Sequence, residues 1–296
     1  MTALPPNTWI PTPARVSFAA LTDPPTRDPR LKRDAQAVSA FAAANGWEYE
    51  IGSGAQPLPG VVFRDDRGRP RHVQRAGDIV RVPGPAGLEV GNSAYSFVVN
   101  LNQFSVEWGY AAVRLPYAVP PLIAESRRAR SERALPALPE LTPLPLAADR
   151  DAGDLYADPA DSAWAAAVMT PELVTLLDDE ALALNLEIAD GWLLLYHPGR
   201  LSVPDPGVWQ RVLSVLEVAG RALAAAAPKL SAASHAGAPA VGAVPAGTRA
   251  SASAARSLPV RERSADVTRK TTWTYYGITG GLFIVGMIVV SFFMNR

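Results

Sequence analysis

The chain contains no cysteine. That excludes disulfides and thiolate metal sites, and it fits a reducing compartment. Histidine is almost as scarce: His72, His197 and His235 stand far apart. No HxxxH, HExxH or carboxylate cluster at ligand spacing accompanies them, so no metal site is nominated. Neither sign of charge is in excess. The 28 basic and 28 acidic residues give a formal net charge of zero, which makes no case for nucleic acid as a partner. GxSxG, the P-loop and GxGxxG are also missing. The glycines of IGSGAQPLPG (51–60) precede neither a helix nor a lysine and make a weak phosphate cradle. No catalytic residue and no cofactor is therefore nominated. The first residues, MTALPPNTWIPTPARVSF, lack a basic segment followed by an apolar one, so no secretory signal is expected.

What the sequence does have is one long apolar run, YYGITGGLFIVGMIVVSFFM, from Tyr275 to Met294, without charge or proline. Twenty residues of helix rise about 30 Å, the thickness of a bilayer's hydrocarbon core. In lipid a helix satisfies its own backbone. Trp273, Tyr275 and Tyr276 at its entrance suit the headgroup level. The run is expected to be a single-pass membrane anchor. Arg256, Arg261, Arg263, Arg269 and Lys270 precede it and only Arg296 follows, so the body is expected on the cytoplasmic side of the cell membrane. Gly277 and Gly281 form a GxxxG pair that suits helix–helix packing and a homodimer through the membrane helix, although glycine is common in such helices anyway.

Proline, 28 residues in all, gathers in the joints and divides the chain. Residues 1–27 read as a Pro-rich arm, extended or loosely docked. Residues 28–119 read as a helix followed by an antiparallel β part. The helix is expected from Pro29 to Asn45, with Asp28 as its cap and Asn45-Gly46 as its stop. WEYEI (47–51) alternates as a half-buried strand. Further strands are expected at VVF (61–63), running on to His72 and Val73 after a turn, and at 78–82, 88–90, 94–99 and 104–115. Asn100 to Gln103 make the last hairpin. Residues 120–150, with ESRRARSER and ALPALPELTPLPL, read as a Pro/Arg-rich connector.

Residues 151–227 give an α/β-hairpin part. Asp158-Pro159 and Thr170-Pro171 open two helices. Leu184, Leu186 and Ile188 alternate, Asp190-Gly191 turns the chain, and Trp192, Leu194 and Tyr196 alternate on the far side. Asp205-Pro206 caps a long helix with a stripe of Val208, Val212, Val215, Ala219 and Leu223. Residues 228–272 are Ala, Ser, Gly and Pro with scattered Arg, and are expected to be a disordered tether with a reach of about 35–40 Å. Residues 273–296 carry the anchor. The fold class is thus α+β: an antiparallel β-rich first part, then helix–helix–β-hairpin–helix, plus one C-terminal transmembrane helix.

One uneven patch of charge is RDDRGRPRHVQR. Arg64, Arg67, Arg69, Arg71 and Arg75 crowd a loop and strand, and such a cluster on a tethered body is drawn to anionic headgroups. The plainer reading is a solvated loop partly neutralised by Asp65 and Asp66.

The order of these signals resembles a known family. NGWEYE (45–50), AVRLP (112–116) and the stretch from Asp158 to Gly199, which includes SAWAAAVMTPELVTLLDD and LLLYHPG, are similar to an uncharacterised domain of high-GC actinobacteria that is often membrane-associated. At SAYSFV the chain departs from that family's glycine-rich Tyr-x-Tyr strand. The resemblance spans about 40–225; it implies one evolutionary unit and brings no catalytic residues with it. Together these readings give a C-terminally anchored cytoplasmic protein, a non-enzymatic binding or scaffolding module whose partners are the lipid bilayer and an unidentified protein. The alternatives are a membrane-tethered enzyme whose site is assembled from dispersed residues, and an exported body.

Overall fold

The structure, a computed structural model, describes residues 11–23, 31–53, 57–71, 74–99, 101–146, 150–230, 258 and 260–262. The apolar run 275–294 with Gly277 and Gly281, most of the tether, Trp9, Ile10, Asp28, His72, Val73 and His235 lie outside the described residues. Among the described residues no helix is long and apolar enough to cross a membrane.

Among its described residues the arm contains a 3-10 turn at Pro13–Arg15 and one α-helical turn, α1 (Ala19–Thr22), in a gap between its prolines. Leu21 is buried there and Phe18 stacks on Phe41 at 5.9 Å. Helix α2 (Arg33–Ala44) starts four residues later than Pro29 and has no side-chain cap. Its end behaves as expected. Gly46 adopts φ 70° and its N–H donates to Ala43 O, while the Asn45 side chain bonds Phe41 O and both backbone groups of Ser17.

The strands are β1 (Glu48–Ser53), β2 (Arg75–Arg81), β3 (Glu89–Val99), β4 (Asn102–Arg114) and β5 (Leu122–Ser126). Helix α3 (Arg127–Glu132) follows, then β6 (Ala137–Pro139), β7 (Leu144–Pro145) and β8 (Gly153–Ala157). Next come α4 (Ser162–Val168), α5 (Pro171–Leu177), β9 (Asn185–Ala189), β10 (Trp192–His197) and α6 (Pro206–Ala226). A short β11 (Val260–Glu262) pairs with β6. The other nine strands form one antiparallel sheet in the order β1-β2-β3-β4-β10-β9-β5-β8-β7.

Local chemistry sets the second half. Thr170 and Asp205 each accept a bond from the first turn of the helix they precede, with proline next in line, and Asp158 does the same for a 3-10 turn, Pro159–Asp161, that leads into α4. Asp190 and Gly191 take φ 51° and 75°, the left-handed pair of a two-residue hairpin turn. In α6 the stripe of Val212, Val215, Ala219 and Leu223 is buried as its spacing predicts.

Four expectations are corrected. Val61 to Phe63 form a turn, because the triplet plugs one face of the sheet and pairs with no strand. The segments 88–90 and 94–99 are one strand, because Gly91 and Asn92 continue its ladder to β4. The 120–150 stretch is more than a connector, since β5 lies between β9 and β8. All five β5 residues are buried, so neither face shows the alternation that marks a strand. The tether is not free throughout, because Val260 to Glu262 add to the edge of β6.

The sheet has two unlike faces. One presents Val80, Val90, Val113, Leu186, Ile188, Leu193 and Leu195 to α2, α4, α5 and α6, forming a continuous apolar core. The other presents Tyr95, Trp108, Tyr110, Leu194 and Tyr196, and is covered by segments 58–63 and 135–138.

Candidate functional site

The loop-covered face holds the concentration of buried polar groups. The Asp190-Gly191 turn fixes the register of β9 and β10, placing Glu187 across from Leu194 and Asn185 across from Tyr196. Glu187 is 4% exposed, and Glu125 on the adjacent strand is fully buried. Each hangs a covering loop from the sheet. Glu187 Oε2 accepts from Val61 N at 3.0 Å and from Tyr196 Oη at 2.8 Å. Glu125 Oε1 accepts from Leu135 N at 2.9 Å.

Arg71 completes the first attachment. Its Nε and Nη2 donate to Val61 O at 2.9 and 2.5 Å, and its guanidinium lies over the Tyr95 ring at 5.1 Å. Both backbone groups of Val61 are thereby tied to side chains. Phe63 then wedges between Tyr110 and Tyr196, with centroids 5.0 and 6.2 Å away. Gly60 makes the approach possible: it holds φ 98°, and a Cβ there would collide with Tyr196 Oη and crowd Glu187.

Burial pushes the Glu187 carboxyl up to about 7, against the pull of its bonds from Val61 N and Tyr196. The Tyr196 hydroxyl is pushed well above its ordinary value by burial and by the neighbouring carboxylate. Tyr110 donates to Glu89 Oε1 at 2.5 Å, and its hydroxyl is raised by burial and by that carboxylate. Arg81 joins Glu89 to Glu50 at 2.9 and 2.6 Å, closing the network at the sheet's rim.

A second cationic group flanks this face. The Arg133 guanidinium lies 5.6 Å over Trp108 and donates to Glu107 O and to Pro198 O, and burial lowers its pKa. Nearby, Gln74 donates to Ser93 Oγ at 3.3 Å. Gln74 Oε1, Trp108 Nε1 and Asn185 Nδ2 are buried without a hydrogen-bond partner. Arg130 lies beside Asp154 and 4.0 Å from Glu125.

The five arginines of the basic stretch do not share one surface. Arg71 is buried against Val61 and Tyr95. Arg64 is half-buried, donates to Leu58 O at 2.9 Å and has its pKa lowered by burial. Arg69 pairs with Asp65 at 2.7 Å. Arg67 and Arg75 are exposed. His197 meets Ala183 O at 3.0 Å through Nδ1. Among the described residues no group of three or more His, Asp and Glu could hold a metal ion.

Sequence alternation assigned Leu184, Leu186 and Ile188 to the core and left Asn185 and Glu187 on the opposite face without a role. The two-residue turn held the missing signal. It aligns Glu187 with the apolar row Trp192, Leu194 and Tyr196, so Glu187 had to be buried too.

No family model matches the chain, and no curated protein matches it. The crystal structure of the mycobacterial trehalose monomycolate transport factor A, TtfA, is similar over 67% of this chain and 96% of that chain. The TM-score is 0.38 and the identity 15%, a likeness too slight to transfer a fold or a function.

Proposed function

We propose that the chain is a membrane-anchored, non-enzymatic binding module. Its body stands on the cytoplasmic side of the cell membrane, and it recruits a protein partner to the bilayer. One observation carries the non-enzymatic part. The buried ionisable groups of the loop-covered face bind the fold's own backbone: Glu187 holds Val61 N, Glu125 holds Leu135 N and Arg71 holds Val61 O. These groups act as internal fasteners, and Phe63 packs against the Tyr196 ring beside Glu187. The apolar run 275–294, with its aromatic and basic flanks, supports the anchor. Gly277 and Gly281 support self-association within the membrane.

A membrane-tethered enzyme is the second reading, favoured by one specific observation: Glu187, raised to about 7 and bonded to a tyrosine hydroxyl, has the properties of a general base.

The two readings separate on the full-length protein. Purified from membranes in mild detergent, it should carry a stoichiometric protein partner, and Glu187→Gln should retain that partner. Removal of 275–294 should move the protein from the carbonate-washed membrane pellet to the supernatant. A protein that carries no partner, but turns over a panel of ester and phosphoester substrates in a Glu187-dependent way, would establish the enzyme instead.

A further inference from the structure

The hairpin of β3 and β4 outruns the sheet. β2 pairs with β3 as far as Arg75 opposite Ala94, and β10 pairs with β4 as far as His197 opposite Gly109. Beyond those rungs, from Tyr95 opposite Val106 to Val99 opposite Asn102, the two strands pair with each other. The first rung of this ribbon is buried, with Tyr95 and Val106 in the loop-covered core and Phe97 packed against it, so the free part is the tip around Val98 and Leu101. Between Glu89 and Glu107 no side chain is charged. Phe97 and Phe104 stack across the ribbon at 5.6 Å. At its tip Leu101 is 99% exposed and takes φ 65°, a turn position where glycine or asparagine would be the soluble choice.

The exposed large apolar residues are few. Among the described residues they are Leu101, Val98 at 62% and Ile51 at 63%. Ile51 lies on the edge strand β1, two strands away from β3, next to the rung that joins Gly52 through Gly77 to Asn92.

The path of the tail points the same way. β11 runs antiparallel to β6 with Glu262 opposite Ala137, so its last described residue lies at the end of β6 nearer Leu135 and Arg133. Arg133 is bonded to Glu107 O at the base of the ribbon. From Glu262 to Tyr275 the chain can span at most about 45 Å. The clip thus replaces the reach of the whole tether with that of its last part, on the ribbon's side of the body.

We infer that the β3–β4 ribbon is a second membrane contact, which inserts Leu101 and Val98 into the lipid bilayer that holds the anchor. The inference rests on the reading of 275–294 as a span. An uncharged tip with an exposed leucine matches the acyl boundary of a bilayer, where apolar side chains bury without a shaped pocket.

The absence of cysteine makes the test clean, because Leu101→Cys creates a single thiol. The full-length variant, labelled there with a nitrobenzoxadiazole fluorophore, is reconstituted into phosphatidylcholine vesicles with and without nitroxide-labelled lipid, and flotation is scored in parallel. The same label at Glu172→Cys, beside Arg221 on the helix layer, is the reference. The expected result is blue-shifted emission at position 101 and several-fold stronger nitroxide quenching than at 172. It should be unchanged when phosphatidylglycerol is added, since the tip is uncharged. Protein that floats while both labels are equally unquenched would overturn the proposal and leave the anchor standing. A blue shift at 101 without quenching would overturn it in favour of contact with a second copy. Protein that fails to float would overturn the anchor itself, and the proposal with it.

Discussion

The two faces of the sheet are both buried, yet they are built from different chemistry. Beneath the helices the sheet offers valine, leucine and isoleucine. Beneath the loops it offers tyrosine, tryptophan and glutamate. The cover explains the difference. A helix closes its own backbone hydrogen bonds, so the surface under it need only be apolar. An irregular loop brings unpaired N–H and C=O groups down with it, and burying these without partners is costly. The sheet therefore supplies acceptors in Glu187 and Glu125, and the covering segment itself supplies a donor in Arg71. On one face the adhesion is area alone; on the other it has fixed points.

The largest test of this contrast truncates the helix-covered face. Trp209 packs on Phe41 at 4.7 Å and is almost fully buried. Trp209→Ala should cost about 3–5 kcal/mol in chemical denaturation, with no dependence on pH. On the loop-covered face the matching change is Gly60→Ala. It adds one carbon where Tyr196 Oη stands and also strains a positive φ; a loss of about 2–4 kcal/mol is expected. If Gly60→Ala proved harmless, the loop would not be seated as closely as described.

The acidity of Glu187 provides the next test, and its sign is opposite to that of a carboxylate in a salt bridge. Unfolded, the group titrates near 4.5; folded, it titrates near 7. Between these values the native state keeps a proton that the unfolded chain has lost, so stability falls as pH rises. The contribution is full below 4.5, fades through the interval and is gone above 7. Its size is about 3 kcal/mol. Denaturation of wild type and Glu187→Gln at several pH values should show this slope in the first and not in the second. Glu187→Ala, which leaves Val61 N and Tyr196 Oη without their acceptor, should cost about 1–3 kcal/mol more than Gln.

At the small end, Thr170→Ala and Asp205→Ala each remove one capping bond and should cost about 1 kcal/mol by thermal melting. Arg69→Ala breaks an exposed, solvent-screened pair with Asp65 and should leave the melting temperature essentially unchanged.

What could be read in the sequence follows the same division. Elements set by neighbouring residues were legible: the helix openings at Asp158, Thr170 and Asp205, the stop at Asn45-Gly46, and the turn at Asp190-Gly191. Their chemistry is complete within a few residues. The loop-covered face was not legible, because its bonds join residues far apart in the chain, such as Val61 to Glu187. The triplet VVF looks the same as a strand or as a plug, and the buried glutamates look like the polar side of a half-exposed strand. β5 was hidden by the prolines around it. The exposed leucine at 101 passed as part of an ordinary hairpin turn because its exposure depends on how far the flanking strands extend.

The outer strands of the sheet bear on crowding. β7 has two residues, Leu144 and Pro145, and Pro145 has no N–H to offer a newcomer. At the opposite margin β1 carries Glu48 and Glu50 and ends in Gly52 and Ser53. Short, charged or proline-bearing margins resist strand addition by neighbouring molecules. Chains gathered in two dimensions by the proposed anchor would meet far more often than chains in solution. A nine-stranded sheet with blunted margins tolerates such encounters without growing into a shared, irreversible ladder.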